Sequence, residues 1–111
     1  MINLKLLQAI IRPEKSTEVL SELKEAGFPA VTKLDVAGRG KQRGVKVGNI
    51  HYDELPKELL LIVLEDQDKE DVVKIIMKTV KSGKDGSYGD GKIFVSEVEE
   101  AYTISSQTKG L

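Results

Sequence analysis

The chain has no cysteine, no tryptophan, one histidine, three prolines and only 5% aromatic side chains among 111 residues. Without cysteine there is no disulfide framework and no structural zinc site built on thiolates. A lone histidine, His51, cannot supply a metal-binding histidine cluster, and no Ser-His-Asp arrangement is evident, so it reads as a solvated loop residue. Few aromatics means no platform for stacking bases, with only Phe94 and Tyr102 in reach of the strands. An excess of one charge is also missing. Lys and Arg number 17 against 18 Asp and Glu, a formal net charge of −1, which argues against a general nucleic-acid binder. No apolar run approaches membrane-spanning length, and the opening "MINLKLLQAIIRPEK" is interrupted by Lys5 and Gln8 with no cleavage-like site after it. A soluble cytoplasmic protein with a single small domain over 1–111 is expected, without membrane insertion.

What is present is a regular order of elements. Ile2 to Ile11 reads as a strand ending at Arg12-Pro13, where proline favours a helix start. From Pro13 to Ala26, Val19, Leu20, Leu23 and Ala26 recur at helical spacing, and Gly27 stands where a left-handed cap belongs. Val31 to Val36 begins a second strand, and Leu59 to Leu64 is wholly apolar, as in a strand buried on both faces. Asp68 is placed to cap a helix whose apolar face is Val72, Val73, Ile76 and Val80, with Gly83 placed to end it. "KIFVSEV" is a fourth strand and "AYTI" a short fifth. Two split βαβ units of this size predict an α+β, ferredoxin-like βαββαβ sandwich with both helices on one face of an antiparallel sheet. The other face needs covering, and layer logic assigns that to further copies of the chain.

Two glycine-rich segments exceed what that fold requires. Residues 37–55, "AGRGKQRGVKVGNIHYDEL", carry Arg39, Lys41, Arg43 and Lys46 among Gly38, Gly40, Gly44 and Gly48. Residues 82–92, "SGKDGSYGDGK", have the glycine and lysine spacing of a phosphate loop, but Ile93 stands where such a loop needs Ser or Thr. The segment also runs from helix to strand, the reverse of a Walker loop. Glycine permits left-handed backbone whose amides curl into an anion-binding nest, and lysine adds a point charge. Asp90 could accept from a ribose or fix the turn itself. Ordinary turns with solubilising charge explain either loop equally well. No nucleophile is paired with a base, so an enzyme is not expected; a nucleotide hydrolase and a ferredoxin-like RNA-binding module remain alternatives of other classes.

Together, "GRGKQRG" after a strand, "LPK" opening the next and "GDGKIFV" after the second helix resemble the PII signal-transduction proteins, over essentially the whole chain from "AIIRPEK" to "AYTI". "GRGKQ", "GNIHYDELPK", "LLIVLED" and "VEEAYTI" look more like the nitrogen-fixation branch, the PII-like regulators of nitrogenase in methanogenic archaea. The resemblance implies a homotrimer, or a mixed assembly with a paralogous PII-like subunit, that binds ATP or ADP between subunits and senses 2-oxoglutarate alongside Mg²⁺. It makes 37–55 the T-loop, which docks on a target, here nitrogenase, and 82–92 the B-loop, which holds phosphates. Thr32 and Val63 would line the adenine; Gly38, Gly40 and Lys41 would face the phosphates with Gly89, Asp90, Gly91 and Lys92. Gln42 would contact 2-oxoglutarate and Mg²⁺, and Lys57 would pair with the 2-oxoglutarate carboxylate. A general PII protein acting on an ammonium transporter or a nitrogen-assimilation enzyme is the alternative.

Three departures accompany this resemblance. "DGSY" lengthens the B-loop, which should loosen it until ligand orders it. Thr103 and Ser105 stand where the family commonly has arginines, with Lys109 as a possible substitute charge. The T-loop is a few residues shorter, and Tyr52 does not align with the tyrosine that some members modify with UMP.

Overall fold

The computed structural model describes residues 3–39, 45–47, 50–52 and 54–111. Along the chain these form β1 (Leu4–Ile11), α1 (Ser16–Glu25), β2 (Thr32–Gly38), β3 (Val45–Val47), β4 (Ile50–Tyr52), β5 (Leu55–Glu65), α2 (Lys69–Val80), β6 (Gly91–Val98), β7 (Tyr102–Thr103) and β8 (Thr108–Lys109). The main sheet is antiparallel with strand order β2-β5-β1-β6, the ferredoxin-like arrangement that the two split βαβ units predict. Inside the 37–55 segment, β3 and β4 pair as a small hairpin, and β7 pairs with β8 in another.

Both helices cover one face of the sheet. Strand alternation sends Leu7, Ala9 and Ile11 of β1 and Leu60, Ile62 and Leu64 of β5 to that side. Val19 and Leu23, one helical turn apart, and Val72, Ile76 and Val80, at the same repeat, close the core from above. Gly27, at φ +95°, caps α1 in the left-handed region: its N–H donates to Lys24 O and the Phe28 N–H to Leu23 O, the paired bonds of a Schellman turn.

Three expectations are corrected. Asp68 makes no side-chain cap: the chain enters α2 from a 3₁₀ turn (Asp66–Asp68), so Asp68 has helical dihedrals rather than the extended ones that aim a capping oxygen at the first amides. Gly83 does not end α2, because Lys81 has already turned extended (ψ 127°); Gly83, at φ +63°, serves the loop beyond. The apolar run 59–64 is covered on one face only. Leu60, Ile62 and Leu64 are buried, whereas Val63 is 39% exposed, since both helices lie on the same side. Leu34 (43%) and Phe94 (52%) share the open face with Val63, beside Leu59, Leu61 and Ile10. A separate groove of about 460 Å³ between α2 and β6 is lined by Val73, Met77, Ile93 and Val95, with Asp90 and Lys92 also in its wall.

Candidate functional site

The cross-strand register gathers the site. Ile11 pairs with Glu58 and with Gly91, so the next position brings Arg12 level with Lys57 on one side and Asp90 on the other. Lys57 itself pairs with Val36 near the end of β2. Pro13 restricts Arg12 to extended backbone (φ −67°, ψ 137°), so it continues the line of β1 before the chain turns away. One end of the sheet thus carries two cations and a carboxylate in a row.

Asp90 organises the glycine-rich loop. Its carboxylate accepts from the Ser82 N–H (3.0 Å), the Ser82 hydroxyl (2.5 Å) and the Ser87 N–H (2.9 Å), and the Arg12 Nε–H approaches it at 3.4 Å. Burial alone would raise the Asp90 pKa, but these donors, the Ser82 hydroxyl foremost, hold it well below the usual carboxylate range. Arg12 Nη2 donates to the Tyr88 carbonyl (2.7 Å) and Lys57 Nζ to the Gly89 carbonyl (2.7 Å). Burial pushes the Lys57 ammonium down, and the neighbouring Arg12 charge adds to that. Left-handed Gly86 and Gly89 let the loop fold back over so short a span. At Gly91 (φ +127°) a β-carbon would overlap the Ile10 carbonyl oxygen, so only glycine brings the loop into β6 this close to β1.

Of the residues singled out from sequence, Gly38, Lys57, Gly89, Asp90, Gly91 and Lys92 meet at this end of the sheet; the Lys57 stem lies against Gly38. Of the two roles open to Asp90, it performs the second: its oxygens fix the turn. Thr32 pairs with Leu61, and Val63 lies two residues further, both on the open face. At about 3.3 Å per residue they stand roughly 13 and 20 Å along the strand from Lys57. Gly40, Lys41 and Gln42 lie outside the described residues. Arg12, Ser82 and Ser87 were not read from sequence as parts of this site. The signal for Arg12 was its place between a strand end and a proline.

The C-terminal hairpin uses its polar groups internally. The Thr103 hydroxyl donates to the Gly110 carbonyl (2.8 Å), and Lys109 stands 4.0 Å from Glu100. Among the described residues no cluster of three His, Cys, Asp or Glu suits a metal ion, and no helix is long and apolar enough to cross a membrane.

Residues 4–108 match the family model for the nitrogen regulatory protein P-II. The chain is 55% identical over 108 residues to the nitrogen fixation nifHD region GlnB-like protein 1 of Methanothermobacter marburgensis, covering 97% of this chain and all of that protein. The protein of that name in Methanococcus maripaludis is 51% identical over the same shares. A further relative, nitrogen regulatory protein P-II 2 of Methanothermobacter thermautotrophicus, is 42% identical over 99% of this chain and 96% of its own length. With the strand order and loop placement above, these matches assign the chain to the P-II family of nitrogen regulatory proteins, in its nitrogen-fixation branch.

Proposed function

We propose that this P-II protein senses adenine nucleotide and 2-oxoglutarate and controls nitrogenase through its T-loop. The observation that carries the reading is the meeting of Lys57, Gly38 and the B-loop at one end of the open sheet face. Left-handed glycines at Gly86 and Gly89 turn the backbone as an anion-holding loop requires, and exposed Lys84 and Lys92 supply charge for phosphate. This donor set fits ATP or ADP. Gly89, Gly91 and Lys92, with Gly40 and Lys41, would hold the phosphates, and Thr32 and Val63, further along the same face, would meet the adenine. Asp90 contributes by shaping the loop. Gln42 and Lys57 would hold 2-oxoglutarate, with Mg²⁺ neutralising the charge between it and the phosphates.

Such a ligand acts on the T-loop only through unequal affinity for its conformations. Contacts from Gln42, within the first part of the T-loop, and from Lys57, just past its end, would provide that inequality. The open face, with Leu34, Val63 and Phe94, supports a homotrimer in which the faces cover one another. The names of the relatives, which place them in nitrogen-fixation regions, favour nitrogenase over an ammonium transporter as the target. Titration calorimetry of ATP, then of 2-oxoglutarate with and without Mg-ATP, tests the reading. Uptake of 2-oxoglutarate only in the presence of Mg-ATP is expected; ATP binding with no response to 2-oxoglutarate would overturn the sensing mechanism.

A further inference from the structure

We infer that Arg12 is the positioning residue of the B-loop, holding its additional residues closed and so setting nucleotide affinity; the affinity part rests on the reading of the loop as a nucleotide site. The side chain comes from the residue that follows β1, outside the loop and distant from it in sequence. It grips the loop at two points, the Asp90 carboxylate through Nε and the Tyr88 carbonyl through Nη2. Tyr88 and Ser87 fall in the "DGSY" stretch that makes this loop long. Length alone would leave those residues free to wander. Here Ser87 is tied to Asp90, Tyr88 to Arg12, and Asp90 to both Arg12 and Ser82.

The chemistry selects arginine. A planar guanidinium presents several donors in a fixed fork, so one side chain can serve a carboxylate and a carbonyl that face it together. A lysine at the same position offers a point charge with no such preset spacing. With its charge set against Asp90 and its side chain only 22% exposed, Arg12 acts on a bound phosphate through the loop it holds. Pro13 keeps it in place, because the residue before a proline is barred from turning helical.

The test uses the full chain with Arg12→Gln, Arg12→Lys, Asp90→Asn and the Arg12→Gln/Asp90→Asn double variant. Three quantities are read: ATP affinity by calorimetry, amide hydrogen exchange resolved along 82–90, and melting temperature. For Arg12→Gln we expect roughly tenfold faster exchange confined to the loop and about tenfold weaker ATP binding, a loss on the scale of one charge-assisted contact. Melting should change little, and Arg12→Lys should recover part of both losses. Asp90→Asn should weaken ATP comparably, and the double variant should be no worse than the poorer single.

If Asp90→Asn instead tightens ATP by freeing Arg12, the arginine is a direct phosphate ligand and the inference is overturned. Unchanged loop exchange in Arg12→Gln overturns it equally, as does exchange that rises across the whole sheet with a fall in melting temperature. Failure of the unaltered chain to bind ATP refutes the nucleotide reading and the affinity part with it, while loop exchange still decides whether Arg12 holds the loop.

Discussion

Gly91→Ala separates two costs that usually come together, an unfavourable φ and a steric overlap. Gly91 has φ +127°, and an added β-carbon would meet the Ile10 carbonyl oxygen and the backbone of Ile11. Gly27, at φ +95°, has nothing within 4 Å of the corresponding position, so Gly27→Ala reports the backbone term alone. That term is about 1–2 kcal/mol for an alanine forced to positive φ. At Gly91 the overlapping atoms are backbone of a central strand and cannot swing aside. β6 must move from β1 at its first pair, Ile11 with Gly91, which adds strain of about 1–3 kcal/mol. The expected loss is therefore about 2–5 kcal/mol for Gly91→Ala against about 1–2 for Gly27→Ala. For a chain of this size the larger loss lowers the melting temperature by roughly 10–20 °C. Urea unfolding of the two variants beside the parent gives the comparison directly. Equal losses at the two sites would refute the claim that backbone approach, rather than φ, fixes glycine at 91.

Other outcomes follow from the same geometry. Asp90 has its carboxyl pKa depressed in the folded chain, so its stabilising contribution is complete above the unfolded value of about 4 and is lost as pH falls from there toward the folded value. Urea midpoints compared at pH 7 and pH 3 should therefore drop less in Asp90→Asn than in the parent. Lys57→Met removes the donor to the Gly89 carbonyl and should abolish the 2-oxoglutarate response, read by calorimetry, with ATP binding weakened less than tenfold. On the proposed homotrimer, Phe94→Asp places a charge on the covered apolar face and should shift sedimentation from trimer to monomer; a trimer left unchanged would require a different interface.

The main elements were legible because their periodicity was strong. The helical spacing of Val19 and Leu23, and the four-residue repeat of Val72, Ile76 and Val80, mark the helix faces that meet the core, whereas the wholly apolar run 59–64 carried no sign that one of its faces lies open. Gly27 was legible for the same local reason, since a left-handed cap needs no distant partner. Asp68 and Gly83 misled because helix ends depend on how the chain arrives and leaves, and a 3₁₀ entry cancels a cap that composition favours. In the site, glycine and lysine advertised the loop, but the residues that shape it were hidden. Arg12 and Asp90 lie 78 positions apart, and only the register of β1 against β6 makes them neighbours. Lys57 was found through the resemblance, and its hold on the Gly89 carbonyl is a contact that no local pattern encodes.

The carboxylate of Asp90 also bears on how the loop opens in time. Donors from the residue after β1, from the start of the loop and from its middle all converge on this one group. Withdrawing it strands several donors at once, so little is gained by letting go of one at a time. Opening is then a single activated event with one rate, as in a small cooperative unit rather than a fraying end. The Ser82 and Ser87 amides, which depend on that event together, should exchange with a common opening free energy.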